Sequence, residues 1–211
     1  RFAQEYLNKY LNGTVKPKGQ HGSTEGMVAT SAFLALSDAR SGSKLHPVTR
    51  RALDHAWGLL DKSGTWDDWL QCNWPPFESD AEFGPTLMLV ALGELQEAAG
   101  ILNRDRAQAK KLAAYLRKNP APSLHAKAMR IWAAKYWPTV LRKKKHALQW
   151  RKELADAQQA DGGWSMAALS GPAWKRDGGE AQTKTSEAYP TAFATYVLQQ
   201  TQIPAKENQP Q

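Results

Sequence analysis

"QQADGGW", residues 158–164, decides how this chain is read. The stretch closes a polar helical run, and Gly162 and Gly163 break that run before Trp164 is reached. Trp164 therefore cannot serve the helix as ordinary core. A glycine turn lets the chain reverse, so that the indole folds back on the helix end. Gln158 can then meet an orphan carbonyl or the indole N–H. Gln158, Gly162 and Trp164 read as a clamp whose work is stability.

The turn has an earlier copy. "LLDKSGTW" (59–66) precedes "EFGPT" (82–86), as "DAQQADGGW" (156–164) precedes "EAYPT" (187–191). In both, a helix ends in a glycine–tryptophan turn and a loop leads to Glu-x-x-Pro-Thr opening the next helix. The earlier copy keeps Gly64 and Trp66 but has Leu60 in the glutamine position, so its clamp is expected to be weaker.

Outward from these turns, apolar runs alternate with breakers at helical spacing, and strand alternation is absent over any useful length. Eight helical stretches are predicted, at about 5–11, 24–40, 46–63, 78–98, 104–119, 121–137, 138–159 and 186–201. Pro47 suits the first turn of the third, and Ser23 or Thr24 caps the second. The third, fifth and seventh are amphipathic, with one apolar stripe each. The second, fourth and eighth are apolar almost all round and require cover on every side. Such alternation predicts an all-α chain in two concentric layers, an α/α barrel or solenoid.

The length of 211 residues suits one domain, spanning 1–211, or a piece of a larger one. The chain begins at Arg1 rather than methionine, which reads as a processed or trimmed end. Its longest apolar run, "LMLVAL" (87–92), is far too short to span a membrane. Cys72 is the only cysteine, which excludes an internal disulfide and a multi-thiolate metal site. The five histidines lack the spacing of a zinc motif, so neither metal nor cofactor is expected.

Charge is unevenly placed. From Arg104 to Lys152 lie fifteen Lys or Arg against one acid, and from Asp54 to Glu97 nine acids against one base. The basic segment, 104–152, suits an anionic membrane surface or an acidic protein partner. Solvated outer faces of helices account for the same pattern. Nucleic acid is not expected, because the basic stretch carries no recognised binding motif.

Gln158, Gly162 and Trp164 match the Q-x-x-x-G-x-W repeat, and the chain resembles the squalene–hopene cyclase and prenyltransferase superfamily. "GTWDDWLQCNWPPFESDAEFGPTL", "QQADGGWSMAALSGPAWKRDG" and "SEAYPTAFATYVLQQTQIPA" resemble bacterial squalene-cyclase-like proteins, over roughly 45–205. The resemblance implies an α/α toroid, here an incomplete ring of about eight helices. It also implies an extracytoplasmic or periplasmic setting over a cytoplasmic one, an apolar or isoprenoid ligand, and a protein partner such as a c-type cytochrome.

In a toroid the first turns of the inner helices face a central cavity. That puts Glu25, Phe83, Glu187 and Tyr189 at its lip, with Trp74 on the stiff "CNWPPFE" loop beside them. Asp80 and Glu82 stand nearest to the D-x-D-D acid of the cyclases, the alternative reading being an isoprenoid cyclase that uses them. The second aspartate is missing, and with it the adjacent pair that would raise one carboxyl pKa. First-turn carboxylates also satisfy free N–H groups and the helix dipole. Phe33, Phe83, Trp132, Phe193 and Tyr196 fall at helical spacing and read as core. The zinc of prenyltransferases needs Asp and His beside Cys72, which the sequence lacks. A non-cyclising binding or scaffold module is the expected function.

Overall fold

Pro47 opens a helix where its missing N–H costs nothing, and His46 Nδ1 accepts the Val48 N–H at 3.2 Å. Ser123 Oγ accepts the Ala126 N–H at 2.9 Å, and the Asp105 carboxylate reaches back to the Leu102 N–H at 3.2 Å. The computed structural model describes residues 2–15, 23–42, 44–66, 76–77, 80–143, 145–171, 174 and 181–202. Within them lie α1 (Phe2–Leu11), α2 (Ser23–Arg40), α3 (Pro47–Gly58), α4 (Phe83–Ala98), α5 (Asn103–Lys118) and α6 (Leu124–Ala134). A 3₁₀ turn (Pro138–Val140), α7 (Lys145–Asp156), α8 (Met166–Leu169) and α9 (Ala188–Gln200) complete them. The described residues hold no strand, and the chain is all-α.

Three predicted stretches change. The third stops at Gly58. The fourth starts only at Phe83, because the Asp80 carboxylate takes the Glu82 N–H at 2.9 Å and makes a turn there. The seventh breaks after Val140: Pro138 sets a 3₁₀ turn, and Arg142 turns to the end of α5, donating to the carbonyls of Arg117 and Lys118. The short α8, capped by Ser165, was not among the predicted stretches.

α2 packs on α3 and α4, α4 on α5 and α6, and α6 on α7 and α9. The chain thus shuttles between a front row, α2–α4–α6–α9, and the backing helices α3, α5 and α7. Only α4 meets the expectation of cover on every side: Phe83 through Gly93 are all buried. α2 and α9 each keep an exposed stripe, at Phe33–Ser37–Arg40 and at Tyr189–Ala192–Thr195. Gly93 is fixed by packing, since a Cβ there would lie 2.1 Å from Cγ of Tyr136.

The main core surrounds α4, and a second forms among α6, α7 and α9 around Trp164; Trp132 and Phe193 pack against both. Each tryptophan turn seals one of them. Trp66 Nε1 donates to the Ala56 carbonyl at 3.0 Å, and Trp164 Nε1 to the Leu154 carbonyl at 2.8 Å. Both acceptors lie in the last turn of a helix, where carbonyls lose their partners four residues on; the Ala56 carbonyl also takes the Leu59 N–H at 3.2 Å. Gln158 does not meet the indole: its Nε2 donates to the Gly162 carbonyl at 2.7 Å, across the turn.

Behind α4 a polar knot joins α3 to α5. Arg50 donates two bonds to the Asp105 carboxylate, at 2.6 and 2.8 Å, and the Trp57 indole adds a third at 2.8 Å. Burial alone would raise the Asp105 carboxyl, but these donors hold it below its ordinary value.

Candidate functional site

The front row encloses a cleft of about 670 Å³. Each helix contributes residues at helical spacing: Phe33, Leu36, Ser37 and Arg40 from α2, Phe83 and Leu87 from α4, Met129 and Trp132 from α6. α9 adds Tyr189, Ala192, Phe193 and Tyr196, and Phe77 enters from the segment before α4. The aromatic residues read as core in the sequence are therefore its lining, and Phe33 is 51% exposed. Helical spacing cannot tell a stripe turned to a neighbouring helix from one turned to a cleft.

The rings interlock. Phe77 meets Phe83 edge-on at 5.2 Å, and His125 stacks on Phe193 at 4.3 Å between centroids. His125 Nε2 and the Tyr189 hydroxyl lie 2.9 Å apart and share a hydrogen bond. Burial drives His125 down to about 3 and pushes the Tyr189 phenol up, so both are neutral near pH 7. Among the described residues Arg40 is the one charged residue on the lining. Its guanidinium donates to Glu94 at 2.9 and 3.0 Å and to the Tyr196 hydroxyl at 2.7 Å.

Behind this lining lies the acid pair. Asp80 and Glu82 are both buried, and neither lines the cleft. Glu82 forms a two-pronged ion pair with the equally buried Arg130, whose Nη1 also donates to the Asn119 carbonyl at 2.9 Å. Burial pushes the Glu82 carboxyl up to about 7, with Arg130 opposing and the Asp80 charge adding to the rise. Asp80 is raised too, first by burial, with the N–H groups of Glu82 and the Trp174 indole pulling the other way. The rise denied to these acids for want of an adjacent pair comes instead from desolvation.

Of the remaining sequence candidates, Phe83 and Tyr189 line the cleft. Glu25 is buried in the first turn of α2, outside the lining. Glu187 precedes α9 without capping it through its carboxylate; its backbone N–H donates to the Trp164 carbonyl at 3.0 Å. Trp74 lies outside the described residues. His125 and Arg130 were not singled out in the sequence. Arg130 had left a signal: a cation inside apolar "AMRIWAA" must find a buried acid.

No protein-family model, curated protein or solved structure matches this chain.

Proposed function

We propose that the chain is a squalene-cyclase-like α/α-toroid module that holds an apolar, isoprenoid-like ligand in its front cleft without cyclising it. One observation carries the reading: the cleft is walled by aromatic and aliphatic side chains, and among the described residues its lining includes no carboxylate. An acid able to protonate an alkene must touch it, and Asp80 and Glu82 lie behind the lining. In this reading the module is extracytoplasmic, faces an anionic membrane or an acidic protein through 104–152, and works beside a partner such as a c-type cytochrome. Among the described residues no helix is long and apolar enough to cross a membrane.

The test has two arms. Squalene should displace an apolar fluorescent probe from the protein, and Phe33→Asp should weaken that binding at least tenfold. Incubation with squalene, followed by mass spectrometry, should return it unchanged. The near-neutral titration of Glu82 favours the alternative, an isoprenoid cyclase using Asp80 and Glu82. A cyclic triterpene that vanishes in Asp80→Asn or Glu82→Gln would establish that alternative and end the binding-module reading.

A further inference from the structure

A second cavity, of about 650 Å³, opens where the ends of α5, α6 and α9 meet the start of α7. Its floor is apolar, with Ile131 and Leu141. Its wall carries Arg117, Lys135, Arg142 and Arg151, and no acidic side chain among the described residues lines it. None of the four cations has a carboxylate partner among the described residues. Arg151 is half-buried, and its Nε is buried without a hydrogen-bond partner.

The carbonyl ends of α5, α6 and α9 offset part of this charge. Each helix end carries about half a negative charge, and Arg142 is already committed to the carbonyls of Arg117 and Lys118. Three such ends sum to about −1.5, against four full positive charges. The cavity stays positive. A guanidinium fork matches a carboxylate or phosphate, and an apolar floor beneath it matches a hydrocarbon tail.

We propose that this cavity binds a single anionic amphiphile, its carboxylate or phosphate head on Arg117 and Arg151 and its tail over Ile131 and Leu141. The site is concave and of ligand size, which favours a molecule taken in as a monomer over a bilayer surface. It is separate from the front cleft, with which it shares no lining residue.

The probe is laurate below its micelle concentration, titrated calorimetrically into the whole chain. Binding should be one to one and should weaken as salt rises. It should be at least tenfold tighter than binding of either dodecanol or inorganic phosphate. The double variant Arg117→Gln, Arg151→Gln removes side chains that bond no other side chain among the described residues, so it should fold, and it should lose at least tenfold in affinity. Lys110→Gln with Lys143→Gln removes the same charge from exposed positions outside the cavity and should leave binding unchanged. Equal losses in the two double variants would reduce the effect to net charge and overturn the proposal. Phosphate or dodecanol binding as tightly as laurate would also overturn it, as would binding to phosphatidylglycerol vesicles with none to monomeric laurate.

Discussion

The turns at 61–66 and 159–164 share one backbone and are held in different ways. In each, the first residue's N–H donates to the fifth residue's carbonyl, Asp61 to Thr65 at 2.9 Å and Gln159 to Gly163 at 2.8 Å. Gly64 and Gly162 take φ of 86° and 85°. Each indole reaches a carbonyl ten residues upstream. Beyond that the copies diverge. Trp66 stacks on Trp57 at 6.1 Å and is wholly buried in the main core. Trp164 is instead clasped by the start of α9: its N–H donates to Thr191 Oγ1 at 3.0 Å, and its carbonyl accepts the Glu187 N–H. The indole-to-carbonyl bond is the constant part of the device. Its outer support is exchangeable, ring stacking in one copy and a polar clasp in the other.

The largest expected effect tests that difference directly. Trp66→Ala should cost about 4–5 kcal/mol and Trp164→Ala about 3–4 kcal/mol, because only the first also forfeits a ring stack in the larger core. Urea denaturation measures both. The reverse order would mean that the clasp outweighs the stack.

pH titration probes the seam between the two cores. His125 has a folded value near 3 against an ordinary 6.5, so its contribution is complete above pH 6.5 and is lost as pH falls. Glu82, raised to about 7 from 4.5, acts in the opposite sense: its contribution is complete below pH 4.5 and is lost as pH rises to 7. Each slope is about 1.4 kcal/mol per pH unit. Between 4.5 and 6.5 they oppose each other, so these two groups leave stability nearly flat there. His125→Phe should unmask a fall with rising pH, and Glu82→Gln a fall with acidification. Chemical denaturation at pH 4.5, 5.5 and 6.5 distinguishes the cases; unchanged flatness in both variants would remove these groups from the account.

The glycines come next. Gly64→Ala and Gly162→Ala should each cost about 1–2 kcal/mol for a left-handed residue carrying a Cβ. Gly163→Ala should cost more, because its Cβ would meet Cβ and Oγ of Ser186 at 2.5 Å. The first turn has Thr65 at that position and tolerates its side chain. Thermal melts of the three variants give the order; a neutral Gly163→Ala would show that the clasp yields.

The constant part of the device was the legible part. Gly64, Trp66, Gly162 and Trp164 are local in sequence, and a glycine turn beside an indole permits few conformations. Supports that come from elsewhere in the chain leave no local trace. Spacing alone does not show that Trp57 stacks on Trp66, nor that the Thr191 of the Glu-x-x-Pro-Thr paired with the second turn bonds the Trp164 N–H. The cleft behaved alike. Phe83 and Tyr189 were readable from their place at helix openings, but Phe33 and Phe193 look like core until the front row is assembled. Asp80 and Glu82 were legible as acids at a helix start, while the partner of Glu82, Arg130, lies on another helix. The break after Val140 required knowing that Arg142 would turn toward the end of α5.

The smallest expected effect concerns the glutamine with which the motif begins. Gln158 donates to the Gly162 carbonyl from an exposed position, where water competes for the same acceptor. Its loss in Gln158→Ala should therefore cost about 0.5–1 kcal/mol, far less than loss of the indole it accompanies. The other copy supplies the control. Leu60 stands in the same place in the earlier turn, half-buried against the main core. Leu60→Ala removes apolar burial instead of a solvated hydrogen bond and should cost about 1–2 kcal/mol. The turn without the glutamine should thus be the more sensitive one at this position, contrary to the weaker clamp expected from its sequence. Paired denaturation curves settle the order. A Gln158→Ala cost above that of Leu60→Ala would return the amide to the centre of the clamp, with the two turns no longer equivalent in design.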